Sequence, residues 1–211
     1  MATIRNRLYP VRDYTDHDVI NWYSLDASSG AAGTLVKVSP TAADPSNQAG
    51  YSSNPLGAAT PLSVSLRFET KSKVTATASG DTRNAALGIT LLDVTETDEN
   101  GLPLRYYPQR AKEILAVVSG QTVPVATRGT FGIWGNYIDQ ALAVPTPGYV
   151  AVVSNSGNGL LAVADPTNTG HIGQAGSKYQ TNQIVGKWIS TTGSQFAAQG
   201  GWAFVRLNVE S

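Results

Sequence analysis

The run Gly200-Gly201-Trp202-Ala203-Phe204-Val205-Arg206-Leu207-Asn208-Val209 alternates strictly. Ala203, Val205, Leu207 and Val209 fall on one side, and Trp202, Phe204 and Arg206 on the other, which is the period of a strand and not of a helix. A second β segment, Ile184-Val185-Gly186-Lys187-Trp188-Ile189-Ser190, precedes it across a polar Gly/Ser/Gln stretch. Both sides of the closing strand carry large apolar groups, more than an edge half in water requires. One side is expected to seal a β core, and the other to pack on loops, a sister subunit or a larger partner. No site chemistry is attached to this segment, so the chain reads as one that holds a shape rather than one that turns over a substrate.

The same period recurs at 63–69 and 73–78, and 86–94 reads as a strand buried on both sides for part of its length. Strands are expected at 33–38, 63–69, 73–78, 86–94, 116–118, 123–127, 129–134, 149–153 and 159–164. The last two flank Ser154-Asn155-Ser156-Gly157-Asn158, whose Asn/Gly chemistry is that of a hairpin. Pro124 is expected to put its strand at an edge or a bulge. Residues 110–114 can make a single helical turn. Two long loops interrupt the pattern: 39–62, dense in Pro, Ser, Asn, Ala and Gly, and 165–183, rich in Gly, Asn and Gln. No fixed repeat emerges, which disfavours a solenoid or propeller. The expected fold is all-β: a β-barrel or β-sandwich core over 31–211 as a single domain, with an extended N-terminal arm over 1–30.

That arm is unusually aromatic. Tyr9-Pro10-Val11-Arg12-Asp13-Tyr14 is extended, Thr15-Asp16-His17-Asp18 offers a cap-like start to a turn, and Trp22 and Tyr23 follow. So many aromatics in an irregular segment mark an arm that docks, either on its own core or on a neighbour. Tyr9, Arg12, Tyr14, Trp22 and Tyr23 are the candidate docking residues.

Charge narrows the function classes. The chain has 15 basic and 15 acidic residues among 211, with no basic block. Binding to a nucleic-acid backbone through a charged patch is therefore not expected. No apolar run reaches the length of a membrane-spanning helix, and the first residues lack the apolar stretch of a secretory signal. Cysteine is absent, which excludes disulfides and thiolate metal sites and suits cytosolic synthesis. Richness in Gly, Ala, Ser, Thr and Val is frequent in extracellular and virion β proteins.

Reactive constellations are weak. Asp16-His17-Asp18 places a histidine between carboxylates, but adjacent strand residues point to opposite faces, so a polar turn or cap is expected rather than a metal site. His171, alone in a Gly-rich loop, could join His17 with Asp13 or Asp165 only in a site nothing else supports. Serines are plentiful, yet no G-x-S-x-G elbow or His/Asp pairing accompanies them. Asp93 with Glu96, and Asp98 with Glu99, fall in or beside a turn and read as solvated surface. Arg67, Arg105, Arg110, Arg128 and Arg206 sit beside strand signal, where arginine anchors an interface or a carboxylate. Tyr51, Tyr106, Tyr107, Tyr137 and Tyr179 are candidate exposed aromatics for stacking on sugars or packing on a protein. The sequence reading assigns no catalytic residue, cofactor or metal.

The order of short signatures carries a further signal. Ala32-Gly33-Thr34-Leu35-Val36-Lys37 is followed by Leu87-Gly88-Ile89-Thr90-Leu91-Leu92-Asp93, then by Val118-Ser119-Gly120-Gln121-Thr122-Val123-Pro124-Val125 with Arg128-Gly129. Val185-Gly186-Lys187 and Gly201-Trp202-Ala203-Phe204-Val205-Arg206-Leu207 close the series. This succession, in scattered pieces over 30–207, resembles the capsid decoration, or cement, proteins of tailed bacteriophages, including those of cyanobacteria. The resemblance implies a non-enzymatic virion structural protein, made in the host cytoplasm and bound on the outer capsid surface. It also implies the major capsid protein as partner and a homo-oligomer, a trimer before a dimer. The long loops and the aromatic arm depart from the smallest members of that family. An alternative class is a tail or head-fibre accessory protein that contacts host surface carbohydrate.

Overall fold

A computed structural model describes residues 8–11, 14–27, 29–39, 73–190 and 201–209. Among the described residues, fifteen strands account for most of the regular structure. In chain order they are β1 (Leu8–Val11), β2 (Val19–Ile20), β3 (Ser24–Leu25), β4 (Leu35–Val38), β5 (Lys73–Ala76), β6 (Ala86–Thr90), β7 (Asp93–Thr95), β8 (Ala116–Val118), β9 (Val125–Ala126), β10 (Arg128–Trp134), β11 (Ile138–Asp139), β12 (Val150–Val153), β13 (Leu161–Ala164), β14 (Ile184–Trp188) and β15 (Trp202–Asn208). The fold is all-β, as expected. A seven-stranded sheet runs β1-β10-β15-β14-β12-β13-β11, a six-stranded sheet runs β2-β9-β6-β4-β5-β3, and β7 and β8 form a parallel pair.

The alternation in the sequence explains the core. Phe131 and Ile133 of β10, Ala203, Val205 and Leu207 of β15, Val185 and Trp188 of β14, Ala151 and Val153 of β12, and Leu161 and Val163 of β13 all project from one side of the seven-stranded sheet. They meet Leu35, Ala86, Ile89 and Ala126 of the six-stranded sheet in a single buried cluster. Each fully buried Leu, Ile, Val or Phe side chain contributes about 1.5–3 kcal/mol of transfer free energy. Gly159, at φ +67°, lets β4 approach the hairpin, since a Cβ there would lie 2.7 Å from the Leu35 carbonyl oxygen. That approach is sealed by Leu35 N–H donating to the Gly159 carbonyl at 2.7 Å.

The described part of the expected arm lies on its own core. β1 pairs antiparallel with β10 at one edge of the larger sheet, β2 pairs with β9, and β3 pairs parallel with β5. Leu8 enters the shared core. The described part of the segment therefore supplies strands to both sheets. Pro10 sits in an edge strand, where a missing N–H is tolerated.

Three expectations are corrected. The run 86–94 is two strands: β6 ends at Thr90, the Leu91 N–H turns to the Pro124 carbonyl at 2.9 Å, and β7 leaves for the separate pair. β9 lies between β2 and β6 instead of at an edge, because it begins after Pro124 and the proline occupies its flank. Asp98 is buried, its Oδ1 accepting the Asn100 and Leu102 N–H groups at 2.8 Å each. Those bonds, Leu102 foremost, hold its carboxyl below the usual range. The helical turn is present as Pro108–Glu113, with proline in its first turn. The strand expected at 63–69, most of the 39–62 loop, Tyr51 and Arg67 lie outside the described residues.

Candidate interaction surface

The solvent side of the seven-stranded sheet is divided into two halves. Over β12 and β13, Val150, Val152, Ala162 and Ala164 are covered by Ile172 and Tyr179 of the 165–183 loop, with Leu142 and Ile184 at the margin. Polar bonds pin this roof. Asp139 Oδ2 accepts the Ser154 hydroxyl at 2.5 Å and the Tyr179 hydroxyl at 3.3 Å, and Asn155 Nδ2 donates to the Lys178 carbonyl at 2.6 Å. Burial, reinforced by the Asp139 charge, pushes the Tyr179 hydroxyl up to about 12.

The other half, over β1, β10 and β15, carries a different set. Register puts Tyr9 opposite Gly132 and Gly132 opposite Phe204. The next residue beyond β14, Ile189, donates its N–H to the Phe204 carbonyl at 2.9 Å, which continues the row. Trp134 and Trp202, paired across β10 and β15, pack edge to face with centroids 5.4 Å apart. On the far side of the row, Thr130 faces Arg206, and Arg206 faces Lys187. Tyr9 is 61 % exposed and Ile189 48 %, while Trp134, Trp202 and Phe204 are half-buried. The result is an aromatic and aliphatic strip bordered by two cations.

The five candidate docking residues separate. Tyr9 belongs to this strip. Tyr14 stacks on Phe131, centroids 5.7 Å apart, and packs on the central core. Trp22 is 64 % exposed in the link between β2 and β3, on the other sheet. Tyr23 packs against Val36, Val74, Val94, Val123 and Val125. Arg12 lies outside the described residues. The reading of the arm missed Trp134, Ile189, Lys187 and Gly132. The alternation of Arg128, Thr130, Gly132 and Trp134 was the available signal for two of them, but pairing with β15 is a long-range relation.

Elsewhere, polar groups are engaged in the fold. Thr15, with Asp16, His17 and Asp18, makes a capped 3-10 turn in which Asp18 Oδ2 accepts the Thr15 N–H at 2.7 Å and its hydroxyl at 3.0 Å. These bonds lower the Asp18 carboxyl. His171 Nδ1 accepts the Asp165 N–H at 3.3 Å, and the Asp165 carboxylate, lowered chiefly by the Thr167 hydroxyl, organises its own turn. Among the described residues no group of His, Asp and Glu side chains could hold a metal ion. Arg110 does anchor carboxylates, bonding Glu99 and Glu113 and reaching Asp98 at 3.9 Å. Tyr106 and Tyr107 are exposed as expected, at 58 % and 52 %, whereas Tyr179 is buried. Tyr137 packs against the central core. A cleft beside β3 and β6 includes Asp26, Thr34 and Thr90, but both threonine hydroxyls donate to the Ala31 carbonyl and Asp26 takes Ser39 and Lys73.

Neither the family models nor the curated proteins compared with the chain include a match to it.

Proposed function

We propose that this chain is a phage virion structural protein that decorates the outer capsid surface and bridges subunits of the major capsid protein, acting as a homo-oligomer, a trimer before a dimer. The observation that carries the reading is the half of the seven-stranded sheet that the 165–183 loop does not cover, where Tyr9, Trp134, Trp202, Phe204 and Ile189 share one face. Trp, Tyr and Arg are the residue types enriched in the energetic centres of protein interfaces. Strands fix the backbone that carries them, which lowers the ordering cost on binding to that of the side chains. The order of short signatures from Ala32 to Leu207 supplies the capsid context. Many symmetric copies, each with a modest interface, add through avidity to resist internal pressure.

The test is addition of purified protein to mature capsids that lack it. The reading expects binding and a higher capsid melting temperature, and protein that leaves such capsids unbound overturns it. Deleting residues 1–23 is a poor probe of the arm, since it removes β1 and β2. Tyr9→Ser and Trp22→Ser are cleaner, both side chains being exposed.

The carbohydrate-contacting alternative retains one favourable observation, the neighbouring exposed rings of Tyr106 and Tyr107. It expects saturable binding to host surface polysaccharide that is lost in a Tyr106→Ala, Tyr107→Ala double variant.

A further inference from the structure

Lys187 and Arg206 stand directly opposite each other on β14 and β15. Like charges placed this way destabilise a sheet, and opposite charges stabilise it. Both side chains are exposed, and among the described residues neither has an ion-pair partner. The pair borders the strip of Phe204, Ile189 and Tyr9, with Trp202 and Trp134 beyond. A surface that keeps two unneutralised cations against a large apolar strip is complementary to a ligand with anionic and apolar groups side by side.

We propose that this half-face receives an acidic segment of a partner protein, its carboxylates on Lys187 and Arg206 and its apolar side chains on Phe204, Ile189 and Tyr9. Arginine's planar fork binds a carboxylate bidentately, and lysine adds a point charge. A protein segment fits better than a polyanion. Two cations on a chain of zero net charge offer little counterion release, whereas a tryptophan-and-tyrosine strip is protein-interface chemistry. The inference concerns the chemistry of the face and holds whether or not the partner is a capsid subunit.

The probe is a synthetic peptide alternating glutamate and leucine, titrated against the full chain with tryptophan fluorescence as readout. Binding is expected to weaken as salt rises and to fall at least about tenfold in Lys187→Glu. That variant makes an opposite-charge pair with Arg206, so its melting temperature rises while binding is lost, a combination a misfolded protein cannot produce. Lys187→Arg is expected to retain binding, as is Lys112→Glu on the distant helix. Each of these results overturns the proposal: no binding of the peptide, equal binding of Lys187→Glu, equal binding of a lysine–leucine peptide, or preferential binding of dextran sulfate or duplex DNA at this face. The last would assign the cations to a polyanion. Self-association abolished by the same Lys187→Glu change, without peptide binding, would assign the face to a second copy and also overturn it.

Discussion

The ring of Phe204 lies over the backbone of Gly132. A Cβ built on Gly132 would stand 3.0 Å from Phe204 Cε1 and 3.4 Å from the Cβ of Tyr9. The missing side chain on β10 is what lets the Phe204 ring settle on the sheet between Tyr9 and Ile189.

Gly132→Val is therefore expected to push Phe204 and Tyr9 outward while leaving the buried side of β10 intact. Glycine in a strand interior carries an entropic cost of about 0.5–1 kcal/mol, which the valine relieves. Overpacking opposes this by about 1–3 kcal/mol, less where the neighbour is half-exposed and free to shift. The expected net loss in denaturant unfolding is about 1 kcal/mol, and the capsid-decoration proposal adds a larger proportional loss of capsid binding. A variant that binds as the parent does would show that the settled ring is not part of the docking geometry.

Tyr179 sets an alkaline limit. Its folded-state pKa of about 12 exceeds the unfolded tyrosine value of roughly 10. The fold holds the proton more tightly, so the contribution is complete below pH 10 and is lost as pH rises through 12, on the order of 2 kcal/mol. Tyr179→Phe should lower stability at neutral pH by about 1 kcal/mol, because one hydrogen bond to Asp139 is lost while Ser154 still donates. It should also remove the latest phase of tyrosinate absorbance and flatten the stability loss between pH 10 and 12. Unfolding curves across that range, with and without the substitution, check both statements.

Leu115 follows the short helix at φ +52°, in the left-handed region, with 57 % of its surface exposed. A leucine there costs roughly 1–2 kcal/mol against glycine, and little burial is lost on its removal. Leu115→Gly is expected to raise stability by about 1 kcal/mol in denaturant unfolding. A fall would mean that the side chain makes a contact worth more than the strain.

The strands were legible because their signals are local: β15 reads off the alternation of Trp202–Asn208, and β12 and β13 off the short apolar runs Val150–Val153 and Leu161–Ala164 on either side of an Asn/Gly turn. The two apolar sides of β15 were legible for the same reason. The roof over half the sheet was not. Tyr179 looks like an exposed loop aromatic until Asp139, forty positions earlier, is known to receive its hydroxyl. Likewise the candidate docking residues of the arm divide by partners far along the chain. Tyr14 is spent on Phe131 and Tyr23 on Val123 and its neighbours, while Tyr9 stays outside because Gly132 and Phe204 lie beside it. Arg206 was legible as an arginine beside strand signal, but its relation to Lys187 was not until the register of β14 against β15 set the two face to face.

The most direct measurement is an image reconstruction of mature capsids incubated with the purified chain. The account predicts added density on the outer surface in symmetric copies, with the face of Tyr9, Phe204 and Trp202 turned toward the shell. Capsids that gain no density, or copies that present that face to solvent, would contradict it.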